Sequence, residues 1–332
     1  MEAVKGWTLA AILAVAGCQS VDVEGTRSGD GGGQDEVDEG EGSGGPEGGD
    51  QGTDEEPPNE GGDEGAGDFQ PGEAAGGAEG GGEDDCAAVA QGGLNSVAQA
   101  HVRADCADYA GLAADPDSPR ILKCFVDYVG ATDPLTLSTA HDQLAFWLNT
   151  YNALVITAVL AGLVEDPGFS TAGADRNTFD FFNKPKYRVG GTLDLSLDEI
   201  EHQIIRGVGA EDADPKIAEW HAGLGAENEV TDARIHAALN CAARSCPALP
   251  AFAFTGTDLD GELDARVSLW LGDASKGAGP NGVSSLFTWF KADFEAFSGS
   301  VREFVASRRP GGADGVDFDT ALNYNWDLNS CP

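Results

Sequence analysis

The chain has 332 residues and a formal net charge of −38, but that charge is unevenly spread. Residues 19–85 hold 22 acidic residues against the single base Arg27, 22 of the 47 glycines, and one aromatic, Phe69; residues 86–332 hold 34 acidic against 17 basic residues and nearly all the aromatics. Only the second part has the apolar content for a core, and an excess of negative charge this large excludes an electrostatic nucleic-acid binder.

At the amino terminus, Lys5 precedes an apolar run from Trp7 to Ala16. The run is too short for a transmembrane helix and fits the hydrophobic region of a signal peptide. It ends in Val15-Ala16-Gly17-Cys18, which resembles a bacterial lipobox. That resemblance implies removal of residues 1–17, acylation of Cys18 and a membrane anchor. Each buried methylene of the acyl chains contributes about 0.8 kcal/mol, so several chains hold durably. Gln19 after the cysteine implies export to the outer membrane, with the protein lipid-anchored in the cell envelope. Residues 18–85 then read as a disordered acidic, glycine-rich tether spanning roughly 45 Å, extended further by like-charge repulsion.

The globular domain is expected over 86–332, with an α+β, helix-dominated fold and a few short strands. Leu94–Val102 reads as a helix, followed by an extended piece through Asp105–Tyr109, and Arg120–Val129 as another helix. Ser138–Val164 is the strongest helical signal, with Ser138 as N-cap, Leu144, Trp147, Leu148, Tyr151, Leu154, Val155 and Ala158 at helical spacing, and Pro167-Gly168 beyond its end. Tyr187–Thr192 predicts a strand entering a Gly190-Gly191 turn. Ser196 and Glu199 predict a capping box opening a helix that runs to about Gly207. Asp232–Asn240 is periodic in either sense and is assigned helical. Leu259–Leu271, Leu286–Phe297 and Val301–Arg308 read as helices, and Gly272–Asn281 as a loop.

Four stretches carry a resemblance: Ala145–Leu154 (AFWLNTYNAL), Val189–His202 (VGGTLDLSLDEIEH), Arg234–Cys241 (RIHAALNC) with Ser245-Cys246-Pro247, and Tyr324–Asn329 (YNWDLN). In this order and spacing the chain resembles domain of unknown function 547 over roughly 93–330. The resemblance implies one compact domain, often exported, and no particular activity. Cys106, Cys124 and Cys331 are departures from the family pattern.

The candidate chemistry sits in these stretches. Asn149 and Asn152 lie three apart on a helix that otherwise favours apolar residues. They read either as clamps on another segment or as groups orienting a substrate carbonyl. Glu201 and His202 follow the capped helix start, with Arg206 one turn on as part of a possible anion pocket; as a general base, His202 needs a carboxylate partner, and it reads otherwise as a packing histidine. His236 precedes Cys241 and Cys246. Cys241 as nucleophile with His202 or His236 as base, a Cys241–Cys246 disulfide, plain buried thiols and a zinc site are the competing readings; no metal or cofactor is assigned. With Cys18 acylated, six cysteines remain: Cys86, Cys106, Cys124, Cys241, Cys246 and Cys331. The expected pairs are Cys241–Cys246, Cys106–Cys124 and Cys86–Cys331. Trp289 and Phe290 are assigned to the core, Trp326 to a strand or turn packed on it, and His141 and His221 to surface or capping positions.

The functional expectation is a lipid-anchored envelope hydrolase or acyl-transferase built on Asn149, Asn152, Glu201, His202, His236 and Cys241. The alternatives are a non-catalytic envelope binding module or, more weakly, a dithiol redox protein. Partners are the membrane through Cys18 and a small molecule, peptide or wall component, without nucleic acid.

Overall fold

The longest helix, Ala140–Glu165, organises the domain. The structure is a computed structural model describing residues 86–169, 171, 178–184, 186–225 and 231–332. The stretch expected to be a signal peptide (1–17), the expected lipidation site Cys18 and the expected tether (18–85) lie outside the described residues.

In chain order, α1 (Cys86–His101), α2 (Tyr109–Ala114) and α3 (Ser118–Ala131) pack ahead of the long helix α4 (Ala140–Glu165). The N-cap of α4 is Thr139, one residue later than expected. Only Thr139 has an acid three residues on, and Thr139 and Asp142 form a reciprocal capping box, the Asp142 N–H donating to Thr139 Oγ1 at 3.0 Å. Helix α4 is long and apolar enough to cross a membrane by length and composition, yet most of its side chains are buried inside the domain. It ends before Pro167, as the sequence predicts.

Helix α5 (Thr178–Asn183) precedes a hairpin of β1 (Tyr187–Val189) and β2 (Leu193–Leu195), which pair antiparallel with Tyr187 opposite Leu195. Gly190 and Gly191 take positive φ in its turn, and their N–H groups donate to the Val129 and Gly130 carbonyls at the end of α3. The predicted Ser196/Glu199 box is present, with the Ser196 N–H donating to Glu199 Oε2 at 2.7 Å and the Glu199 N–H to Ser196 Oγ at 3.1 Å. What it opens is a π-helix, π1 (Glu199–Ile205), rather than an α-helix. The Arg206 N–H reaches back five residues to the Glu201 carbonyl.

Helix α6 (Pro215–Gly223) follows, and Asp232–Asn240 becomes a short 3₁₀ turn, Ala233–Ala237, capped by Asp232. After α7 (Leu259–Gly272), the expected loop holds a two-residue hairpin of β3 (Ala278–Gly279) and β4 (Gly282–Val283). The single helix expected over 286–297 is broken at Phe290 into α8 (Leu286–Trp289) and α9 (Lys291–Ser298); α10 is Val301–Arg308.

Two apolar cores result. The larger joins α1–α4, the hairpin, π1 and α6; its largest fully buried side chains include Trp147, Trp220, Tyr109 and Tyr151. The smaller joins α7–α10 around Trp270, Phe287, Phe294 and Phe304.

The disulfides are Cys86–Cys124 and Cys106–Cys331, so none of the three expected pairings forms. Cys86 begins α1, which packs closely on α3, and this brings it to Cys124. The carboxy-terminal tail pairs with the segment after α1, the Cys331 N–H donating to the Ala107 carbonyl, which places Cys331 against Cys106. The Cys106–Cys331 bridge spans 225 residues. By loop-closure entropy such a bridge contributes about 5 kcal/mol.

Candidate active site

A cavity of about 450 Å³ lies where the two cores meet. Its polar groups are Tyr151 from α4, Asp198, Glu201 and His202 at π1, His236 from the 3₁₀ turn, Cys241 and Cys246 from the following loop, and Tyr324 from the tail. Its apolar wall includes Phe182, Leu286, Trp289, Phe290 and Trp326. Four of the six expected catalytic residues, Glu201, His202, His236 and Cys241, therefore share one hollow although they come from separate segments.

Asn149 and Asn152 are not among its lining residues. Asn149 donates to the Phe254 carbonyl at 2.9 Å and accepts from the Phe254 N–H at 2.8 Å. Asn152 holds the Ala238 carbonyl and the Asn240 N–H in the same way, both at 2.9 Å. Each amide is spent on a backbone segment, which corrects the carbonyl-orienting reading. The Asn152 clamp still bears on the site, since it fixes the residue before Cys241. Asn240 extends the brace, donating to the Pro247 carbonyl and accepting from the Ala242 N–H.

Cys241 stands at a bend. Ala242 beside it has φ 62°, a left-handed conformation uncommon for a residue with a side chain and often found at functional sites. The tail holds this bend, with the Asn329 N–H donating to the Ala242 carbonyl and the Arg244 N–H to the Asp327 carbonyl. Both cysteines are free thiols, which corrects their assignment to a disulfide. The Cys241 N–H donates to Cys246 Sγ at 2.9 Å, and Cys241 Sγ lies 3.0 Å from the Tyr324 hydroxyl. Burial disfavours the Cys241 thiolate, but hydrogen bonds from Cys246, Tyr324 and the Ala243 N–H outweigh it and hold the thiol below its ordinary pKa. Burial together with the neighbouring Cys241 charge pushes Cys246 well up, so of the two sulfurs Cys241 is the one more readily held as a thiolate. Burial and the two cysteines likewise raise Tyr324, keeping it protonated as a donor.

The imidazoles belong to a chain of ionic contacts. Asp293 of α9 takes Arg206 on both oxygens, at 2.7 and 3.3 Å, and His236 Nε2 at 2.9 Å. Burial opposes ionisation of Asp293, yet the bonds from His236 and Arg206 prevail and bring its pKa down to about 2. His236 lies flat on Phe290, with centroids 4.2 Å apart, and burial lowers its pKa, so the ring is neutral near pH 7. Its bond to Asp293 puts the proton on Nε2 and leaves Nδ1 as the basic nitrogen.

Arg206 also donates to His202 Nδ1 at 2.6 Å, while Asp198 approaches Nε2 at 3.3 Å. Burial disfavours the charged form of His202, but the Asp198 bond and the charges of Glu201 and Asp198 raise its pKa, with Arg206 working against them. Arg206 is thus consumed by Asp293 and His202, which replaces the expected anion pocket.

The aromatic residues also differ from expectation. Trp289 is 47 % exposed and stacks on Trp326 at 5.8 Å, with Tyr324 against both. Trp289 and Trp326 line the cavity, and Phe290 does so while also packing against the smaller core, as expected of it. His221 is half-buried, its Nδ1 on the Ile204 carbonyl at 2.7 Å, while His141 is exposed. Among the described residues, no group of three or more His, Cys, Asp or Glu is placed to hold a metal ion.

Sequence reasoning passed over Asp198, Asp293 and Tyr324. Asp198 had a signal, four residues before a histidine on a helical segment. Asp293 had none, because it joins His236 across 57 residues.

Fold and site together define a helix-dominated α+β domain with a thiol-bearing cavity. Residues 135–271 match the family described as "Protein of unknown function, DUF547", and over that stretch the chain is similar to this family, as its motifs suggest. The match includes α4, the hairpin, π1 and both free cysteines; α8–α10 and the tail, which supply Asp293, the tryptophans and Tyr324, lie beyond it. No curated protein and no solved structure matches the chain.

Proposed function

We propose that the protein is a lipid-anchored cell-envelope enzyme using a cysteine thiolate for acyl transfer or hydrolysis. The observation that carries this reading is Cys241, a free thiol of lowered pKa on a strained bend, held by Tyr324 in a cavity that it shares with a carboxylate-oriented imidazole. A nucleophile, a base and a third group orienting the base are the parts that covalent catalysis requires.

In the proposed reaction, His236 takes the thiol proton at Nδ1. The Cys241 sulfur attacks a substrate carbonyl, the bond to the leaving group breaks, and that group receives the proton from His236. Water, or an acceptor nucleophile, then cleaves the thioester and restores the thiol. Asp293 stabilises the charged imidazole, and Arg206 fixes Asp293. The lipobox at Val15–Cys18 and the acidic tether support placement at an envelope membrane, the outer one by virtue of Gln19.

To test this, the full chain is incubated with p-nitrophenyl acetate and digested, and acetyl groups are mapped by mass spectrometry. We expect acetylation at Cys241, with p-nitrophenol released faster than by a Cys241→Ser variant. Equal release from both proteins, with no acetyl on Cys241, would refute the enzyme.

A second reading, a non-catalytic binding module, draws support from one feature. Among the described contacts neither imidazole hydrogen-bonds the Cys241 sulfur, whose partners are Tyr324, Cys246 and the Ala243 N–H. Uncatalysed but specific retention of an envelope component, lost on filling the cavity, would favour it. The dithiol redox alternative gains little, because Cys246 is buried with a strongly raised pKa.

A further inference from the structure

One carboxylate of the cavity, Glu201, has no salt bridge among the described residues. Arg206 is taken up by Asp293 and His202, and Asp198 faces His202. His236 is buried against Phe290 and bonded to Asp293. Glu201 lines the cavity together with Tyr151, His202, His236 and Cys241 and is half-buried there, and among the described residues no salt bridge includes it.

A carboxylate in a largely apolar hollow is costly unless something neutralises it. The surrounding residues point to what does so. The tryptophans and Tyr324 form an aromatic wall on the same cavity, and aromatic faces attract cations. An anionic occupant would meet Glu201 and Asp198, and no lysine or arginine is among the described lining residues. A neutral one would leave Glu201 uncompensated. The cavity's size, about 450 Å³, lies within the range for small organic ligands.

We infer that the cavity takes a cationic organic substrate, an ammonium or guanidinium group on an apolar body, with Glu201 as counter-charge and Trp289, Tyr324 and Trp326 as the face against which the cation or its apolar body rests. The inference names the substrate class of the site proposed above, and rests on that reading for reaction but not for binding. Glu201 is then a recognition residue of the cavity, not the base.

The test measures binding alone, by tryptophan fluorescence and calorimetry, on full-chain protein carrying Cys241→Ser so that chemistry plays no part. The probes are 2-phenylethylamine, 2-phenylethanol and 3-phenylpropionate. The amine is expected to bind at least about tenfold more tightly than the alcohol, and the carboxylate most weakly. Adding Glu201→Gln, nearly isosteric, should bring amine and alcohol within about twofold of each other. Equal affinity for amine and alcohol, failure of all three probes to bind, or an amine preference that survives in a folded Glu201→Gln protein would overturn the inference. Should that variant not fold, the comparison of the three probes decides alone. An amine preference with no acetylation of Cys241 would remove the thiol chemistry and leave the cation site; acetylation without the preference would do the reverse.

Discussion

The two apolar cores bury polar side chains for different ends. In the larger, Asn149 and Asn152 reach from α4 to separate backbone segments, and each amide both donates and accepts. Neither lines the thiol-bearing cavity. On the smaller side, Asp293, Arg206 and His236 are also buried and bonded, but their chain ends at the cavity, where His202 and His236 form part of the wall. Buried polarity of the first kind specifies how segments pack, while the second orients groups that remain available for chemistry. The difference lies in whether a side chain's last donor or acceptor faces the backbone or a hollow.

The comparison can be broken most severely at Asp293. Asp293→Ala leaves Arg206 and His236 without their partner in a site where the carboxylate is only 9 % exposed. A loss of about 3–5 kcal/mol of stability is expected by denaturant titration. A loss below about 1 kcal/mol would mean the chain of contacts is ornamental.

The asparagines sharpen it. Asn149→Ala and Asn152→Ala should each cost about 1–3 kcal/mol, because each strands a backbone donor and acceptor. They should part company in a second readout. Only Asn152 braces the residue next to Cys241, so only Asn152→Ala is expected to alter the alkylation rate of Cys241 under conditions where both variants are folded. Equal effects on that rate would erase the distinction.

The smallest expected effect is on acid stability. The pKa of Asp293 is lowered from 3.8 to about 2 on folding. A depressed carboxylate adds stability that is present above its unfolded pKa and is lost as pH falls through the folded value. Stability should therefore decline between about pH 4 and pH 2, and part of that slope should vanish in Asp293→Asn. An unchanged slope would show that Asp293 is not the group titrating.

Local signals in the sequence proved informative wherever local physics decides the outcome. The Ser196/Glu199 box, the Gly190-Gly191 turn and the apolar span of α4 all follow from contacts within a few residues. The character of π1 does not, because an i→i+5 bond differs from an α-helical one by a single residue of register. The break at Phe290 reflects tertiary demand, since that ring is held between His236 and Arg206. The disulfides depended on where the tail returns, and spacing along the chain carries no trace of that. For the site, the residue types were legible and their grouping into one cavity followed the motifs, which also hold Asp198, Tyr324 and Trp326; Asp293, Trp289 and Phe290 came from a segment outside them.

The central claim is that Cys241 is a free, activated thiol facing a cavity, and residue-resolved alkylation of the unreduced protein across a pH series tests it most directly. The account predicts that iodoacetamide modifies Cys241 with a midpoint below pH 9, that Tyr324→Phe moves this midpoint upward, and that Cys246 resists until the protein unfolds. A Cys241 found crosslinked to Cys246, or one that reacts no sooner than its buried neighbour, would contradict it.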